Sequence, residues 1–106
     1  MRSLGPVATH VLALTMDLRI PDAQSLKEKR AVVTSIIEGA RRRFQVAGAE
    51  TGRLDAHQRA ELAFVGVSGS ATHTAELIDN VERFVWSFPE IEVVDVGRDW
   101  LEVDAW

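Results

Sequence analysis

Apolar and polar residues alternate at the start of the chain. Between Val7 and Ile20 the even positions Leu12, Leu14, Met16, Leu18 and Ile20 are apolar, whereas the odd positions run Val11, Ala13, Thr15, Asp17 and Arg19. A period of two predicts a strand with one fully buried face and one mixed face. Pro21-Asp22 ends it. From Ser25 to about Arg43 the period becomes helical, and Leu26, Val33, Ile36, Ile37, Ala40 and Phe44 fall on one side. Val46 to Thr51 reads as a short strand of small residues, Gly52 to Ala56 as a loop, and Arg59 to Ser68 as a second long strand, apolar on nearly both faces. After Ser68-Gly69-Ser70 a second helix is predicted from about Ala71 to Phe88, with Leu77, Ile78, Val81, Phe84, Val85 and Phe88 as its stripe and Pro89 as its stop. Ile91 to Val96 is the last strand, with a continuation toward Trp100 left open.

The order β-α-β-β-α-β, with two right-handed crossovers, predicts a ferredoxin-like α+β sandwich: a four-stranded antiparallel sheet with both helices on one face. The chain is read as one domain over 1–106, its core at about 7–97. No helix covers the second sheet face. Val11, Ala13 and Thr15 face outward there, together with either Ala63, Val65 and Val67 or Leu62 and Phe64, and such a face is too apolar to be left in water. A second copy of the chain or another partner is expected to cover it, with Val11, Ala13, Val65 and Val67 as the interface.

The start of the first helix carries the densest charge. Ser25-Leu26-Lys27-Glu28 fits a capping box, in which Ser25 and Glu28 satisfy each other's free backbone donors. Lys27, Lys29 and Arg30 oppose the helix dipole there, at about 0.3–1 kcal/mol for an exposed position, and a cap does not need them. At helical spacing Lys27, Arg30 and Arg41 project on one side with Thr34 and Glu38. Two readings stand: a solvated first turn, or an anion-binding face for phosphate or an RNA backbone formed by Lys27, Lys29, Arg30, Arg41 and Arg42. Lys29 points nearer the apolar stripe, which gives it the alternative of snorkelling along the core edge. Arg41-Arg42-Arg43 ends the helix, where the dipole favours positive charge.

Composition sharpens this picture in three respects. The net charge of −4 hides a polarity: residues 2–75 hold ten Lys/Arg and seven Asp/Glu, residues 76–106 two Arg and nine acids. Six of the twelve basic residues lie between Lys27 and Arg43, so a local basic face survives an acidic total that argues against non-specific coating of nucleic acid. The absence of cysteine excludes disulfides, thiolate metal sites and a cysteine nucleophile, and suits a cytoplasmic location. The opening MRSLGPVATHVLALTM has a basic residue before an apolar run, yet His10 interrupts it and no cleavage site follows, so it is read as strand and not as a signal peptide; no stretch is long enough to span a membrane.

No constellation names a reaction. His10, His57 and His73 lack ligand spacing, so neither a metal nor a cofactor is expected. Asp17 and Arg19 suggest cross-strand ion pairs, Asp55 and Glu61 have no convergent partner, and Gly66 to Ser70 lacks the glycine spacing and lysine of a phosphate loop. Trp86, Trp100 and Trp106 are either interface anchors or partly buried. Among the two central strands only Phe64 is aromatic, which disfavours base stacking on the sheet; contact with RNA would run through backbone charge on the first helix.

The segments IPDAQSLKEKRAVV, RRRF, HQRAEL and EIEVVDV together resemble the YlxP-like family of small bacterial proteins of undetermined function. The likeness covers most of residues 7–97, and the hexapeptide from Ser25 to Arg30 is its most specific part. His57 stands where the family often has Trp, and the chain adds a short lead and a tail ending in Trp106. The resemblance implies a ferredoxin-like fold and, from genes that neighbour those of translation initiation and ribosome maturation, an accessory role near the ribosome. It implies no catalytic residue. The functional expectation is thus a non-enzymatic cytoplasmic binding module, a homodimer that meets rRNA or ribosomal particles through its first helix. The alternatives are an interaction module working through the open sheet face and, more remotely, a small-ligand sensor. An acylphosphatase-like enzyme is disfavoured, because PDAQ stands where that activity needs an Arg-bearing glycine-rich loop.

Overall fold

The computed structural model describes residues 8–101 and contains β1 (His10–Arg19), α1 (Leu26–Phe44), β2 (Ala47–Gly52), β3 (Arg59–Ser68), α2 (Ala71–Trp86) and β4 (Glu92–Leu101). Val7, the N-terminal lead before it and the tail with Trp106 lie outside the described residues. The four strands form one antiparallel sheet in the order β2-β3-β1-β4, the ferredoxin-like arrangement anticipated from the periodicity.

Register decides which face of β3 is inside. Leu14 pairs with Phe64 and Met16 with Leu62, and residues directly opposite in an antiparallel pair share a face. The even residues of β1 lie under the helices, so Leu62 and Phe64 must lie there too, and all of them are buried. Ala63, Val65 and Val67 therefore point to the open side, which resolves the alternative left by a strand apolar on both faces. The core between sheet and helices is completed by Val33, Ile36 and Ala40 of α1 and Ile78, Val81 and Val85 of α2.

One element end differs from expectation, and one left open by the sequence is resolved. The helix α2 stops at Trp86, where Ser87 caps it, and Phe88 packs against the core from the loop beyond. Strand β4 runs to Leu101, five residues past Val96, because its backbone pairs with β1 as far as Val11. Its side chains there give no period-two signal, since Arg98 and Asp99 interrupt it. A bulge at Val94 separates the Asp17–Asp95 and Leu18–Val93 pairs and leaves the Val94 side chain exposed.

Glycine is required where layers meet closely. A Cβ on Gly48 would lie 2.8 Å from the Phe64 ring, so β2 passes over that ring only with glycine at this position. Gly39 of α1 likewise meets the end of the Phe84 ring of α2, which sets the distance between the helices.

Candidate functional site

The helix α1 starts where Ser25, in extended backbone, accepts the Glu28 amide at 3.1 Å. The Glu28 carboxylate does not return to Ser25; it accepts the Gln24 amide at 2.9 Å, one residue further out. Both capping residues act at the helix start, but the reciprocal pairing of a strict capping box is corrected. The other end closes through Gln45, in left-handed backbone at φ 56°, whose amide donates to the Arg41 carbonyl.

The five basic residues expected to form one anion-binding face divide into two groups. Lys29 does not belong to the surface: it is fully buried, at 0% exposure. It follows the spacing Lys29, Val33, Ile36, Ala40, that is i, i+4, i+7, i+11, which places it on the buried stripe of α1. Its ammonium donates to Glu50 Oε2 at 2.8 Å and to the carbonyls of Arg53 at 3.0 Å, Arg59 at 3.3 Å and Leu54 at 3.4 Å. Three N–H donors are thus shared among four acceptors, with the charge balanced by a carboxylate that is itself largely buried. A buried ammonium persists only under such compensation. The interaction ties α1 to β2, to the 53–58 connection and to the start of β3, so Lys29 is a structural clamp and not an anion ligand. Snorkelling is corrected as well, because the charge ends in the interior instead of reaching water.

Lys27, Arg30, Arg41 and Arg42 are exposed on the opposite side of α1. Arg41 donates to Glu38 at 2.8 Å in a solvated pair, whereas Lys27, Arg30 and Arg42 have no carboxylate within 4.0 Å among the described residues. Arg43 turns aside and stacks over the Phe84 ring at 5.1 Å. The outer surface of α1 therefore carries cations at both ends, Lys27 and Arg30 at its start and Arg41 and Arg42 at its finish, about 22 Å from first to last, with Glu38 and the small or hydroxylated residues Ala31, Thr34 and Ser35 between them.

The open side of the sheet is the second candidate surface. Val11, Ala13 and Val65 are partly exposed and Val67 is 59% exposed. Toward the other end of the same face the residues become charged. Asp17 receives Arg59 from the neighbouring strand at 2.9 Å and Arg53 from the β2–β3 connection at 3.4 Å. The cross-strand ion pair expected for Asp17 is thus made with Arg59, while Arg19 has no carboxylate within 4.0 Å among the described residues.

The remaining candidates do not converge. Arg98 lies between Asp79 at 2.8 Å and Glu82 at 2.9 Å in a cleft beside Trp86. Burial works against its charge, but the hydrogen bonds and charges of Glu82 and Asp79 together outweigh burial and raise its pKa. Trp86 and Trp100 are about half exposed. Ser70 caps α2 by accepting the His73 amide, and Thr74 beneath it bonds Ser68 and the His10 carbonyl, which explains Gly66 to Ser70 as a strand-to-helix joint. Among the described residues no three His, Asp or Glu side chains are grouped to hold a metal ion, and no helix is long and apolar enough to cross a membrane.

Comparison with known proteins agrees with the resemblance in the sequence. The family model described as "Protein of unknown function (DUF503)" matches residues 11–98. The chain is also similar to the uncharacterized protein YlxP of Bacillus subtilis (strain 168), with 40% identity over 81 residues that cover 76% of this chain and 88% of that protein.

Proposed function

The chain belongs to the DUF503 family, whose function is unknown, and on that premise we propose that it is a non-enzymatic cytoplasmic binding module that takes the phosphate backbone of RNA, in ribosomal particles, on the outer strip of α1. The observation that carries the reading is the set Lys27, Arg30 and Arg42, exposed on one side of α1 without carboxylate partners among the described residues. Cations placed at a helix N-terminus cost stability, and here neither a cap nor an ion pair employs Lys27 or Arg30. The contrast with Lys29 supports the same view: the cation of the first turn that the fold needs is inside, and Lys27 and Arg30 outside have no carboxylate within 4.0 Å among the described residues. Three or four phosphate contacts give a modest, salt-dependent affinity, with log K falling about 2–3 per decade of salt on single-stranded RNA.

The test is co-sedimentation of the native chain and of Lys27→Glu/Arg30→Glu with ribosomal particles from lysate. The native chain is expected in the particle fractions at low salt and at the top of the gradient at high salt, with the variant at the top in both. If native chain and variant behave alike, the reading falls.

A further inference from the structure

We infer that the open sheet face is covered by a second copy of this chain, packed face to face about a two-fold axis that runs along the strands between β1 and β3. The inference is independent of RNA binding, since α1 lies on the other side of the sheet.

The covered and open faces differ in side-chain size. Under the helices stand Leu, Met and Phe, whereas the open face presents Val11, Ala13, Thr15, Ala63 and Val65, with Asp99 of β4 beside Ala13 at its edge. Short, mostly apolar side chains let another sheet approach to about 10 Å. Three strands of ten residues and one of six, about 4.8 Å apart, give a face of roughly 570 Å², hence roughly 1,100 Å² for two copies, above the roughly 1,000 Å² that a specific interface needs. Nucleic acid is a poor occupant: the face carries no aromatic residue from β1 or β3, because Phe64 is turned inward, and Glu61, Asp17 and Asp95 form an acidic row across it.

From the Val11 row to the Asp17 row the face matches itself under that axis, and the end row sets Arg19 over Arg59 of the second copy, whose guanidinium is held by Asp17. The rotation exchanges β1 with β3 and β2 with β4 while keeping each row level. Val65 then lies over Ala13 of the second copy and Ala63 over Thr15, because these residues share rows within one chain. Leu101, 48% exposed and level with Val11, comes over the corner where β2 has not yet begun. The acidic row would repel its own image if bare. However, Arg53 reaches across the face to Asp17, and its guanidinium, nearly half exposed, is left opposite Glu61 of the second copy. An axis in the plane but across the strands would set the apolar end on the charged end instead.

The charge arrangement makes the inference testable by mixing. Sedimentation equilibrium of the native chain is expected to give twice the chain mass, and Val65→Asp, which places a charge beside the axis, the mass of one chain with native circular dichroism. Arg53→Glu and Glu61→Arg should each sediment as one chain, the first opposing two acids across the interface and the second two cations. An equimolar mixture of the two variants should recover the double mass, because both cross-contacts then pair opposite charges. Intrachain damage cannot be repaired by mixing, so this recovery reports the interface alone. A native chain of single mass, a Val65→Asp variant that keeps the double mass, or a mixture that stays single overturns the inference. Co-sedimentation with ribosomal particles by Lys27→Glu/Arg30→Glu is read separately, which keeps the two failures apart.

Discussion

The two faces of the sheet share strands, register and backbone, yet they are built to different rules. On the helix side Leu12, Leu14, Met16, Leu62 and Phe64 are excluded from water, and even the one charge beside them, on Lys29, is matched by a carboxylate and three carbonyls. On the open side the corresponding residues are Val11, Ala13, Thr15, Ala63 and Val65, and the charges of Asp17, Arg53 and Arg59 remain in contact with solvent. The difference teaches that size as well as polarity separates the faces. Large side chains fill the space under a helix layer, while small ones leave a surface that the isolated chain tolerates and another sheet can approach.

Three measurements bear on this comparison. The largest effect is expected from Lys29→Met, which leaves Glu50 and three carbonyls buried without their donor. Breaking a buried pair from one side costs about 3–5 kcal/mol, a large share of the stability of a domain this size, and urea unfolding should show it as a lower midpoint. Next, Phe64→Ala should cost about 3–5 kcal/mol, whereas Val65→Ala, one residue along, should cost under about 1 kcal/mol in the single chain. Equal costs would mean that the faces are energetically alike. The smallest contrast lies in β2. Gly48→Ala pushes a methyl group toward the Phe64 ring and is expected to lose about 1–3 kcal/mol by overpacking, while Ala49→Ser on the open side stays within about 0.5 kcal/mol.

Most of the fold was legible in the sequence because its signals are local. The period-two run of β1 and the two helical stripes appear directly, and Pro21 and Pro89 mark where the chain must turn. The orientation of β3 was not legible, because Leu62 and Phe64 on one face and Ala63, Val65 and Val67 on the other are all apolar; only the pairing with β1 separates them. The far half of β4 stays an open alternative in the sequence for a related reason, since its pairing is carried by backbone while Arg98 serves neighbours on α2 and Asp99 faces solvent. In the candidate site, the helical spacing from Lys29 to Val33, Ile36 and Ala40 was readable, but its four acceptors were not. Three are main-chain carbonyls, which any residue could supply, and the fourth lies on β2, 21 residues away.

The clamp at Lys29 also makes the protein its own reporter. The chain has two lysines, at 27 and 29. One amine is open to solvent and the other is sealed between α1 and the β2–β3 connection. Amine-reactive labelling followed by mass spectrometry should therefore run in two phases on this short segment. The Lys27 phase measures chemistry, and the Lys29 phase measures how often the hairpin lifts away from the helix. The ratio of the two rates, obtained within one molecule and one digest, is an opening equilibrium constant, and its logarithm gives the free energy of local opening.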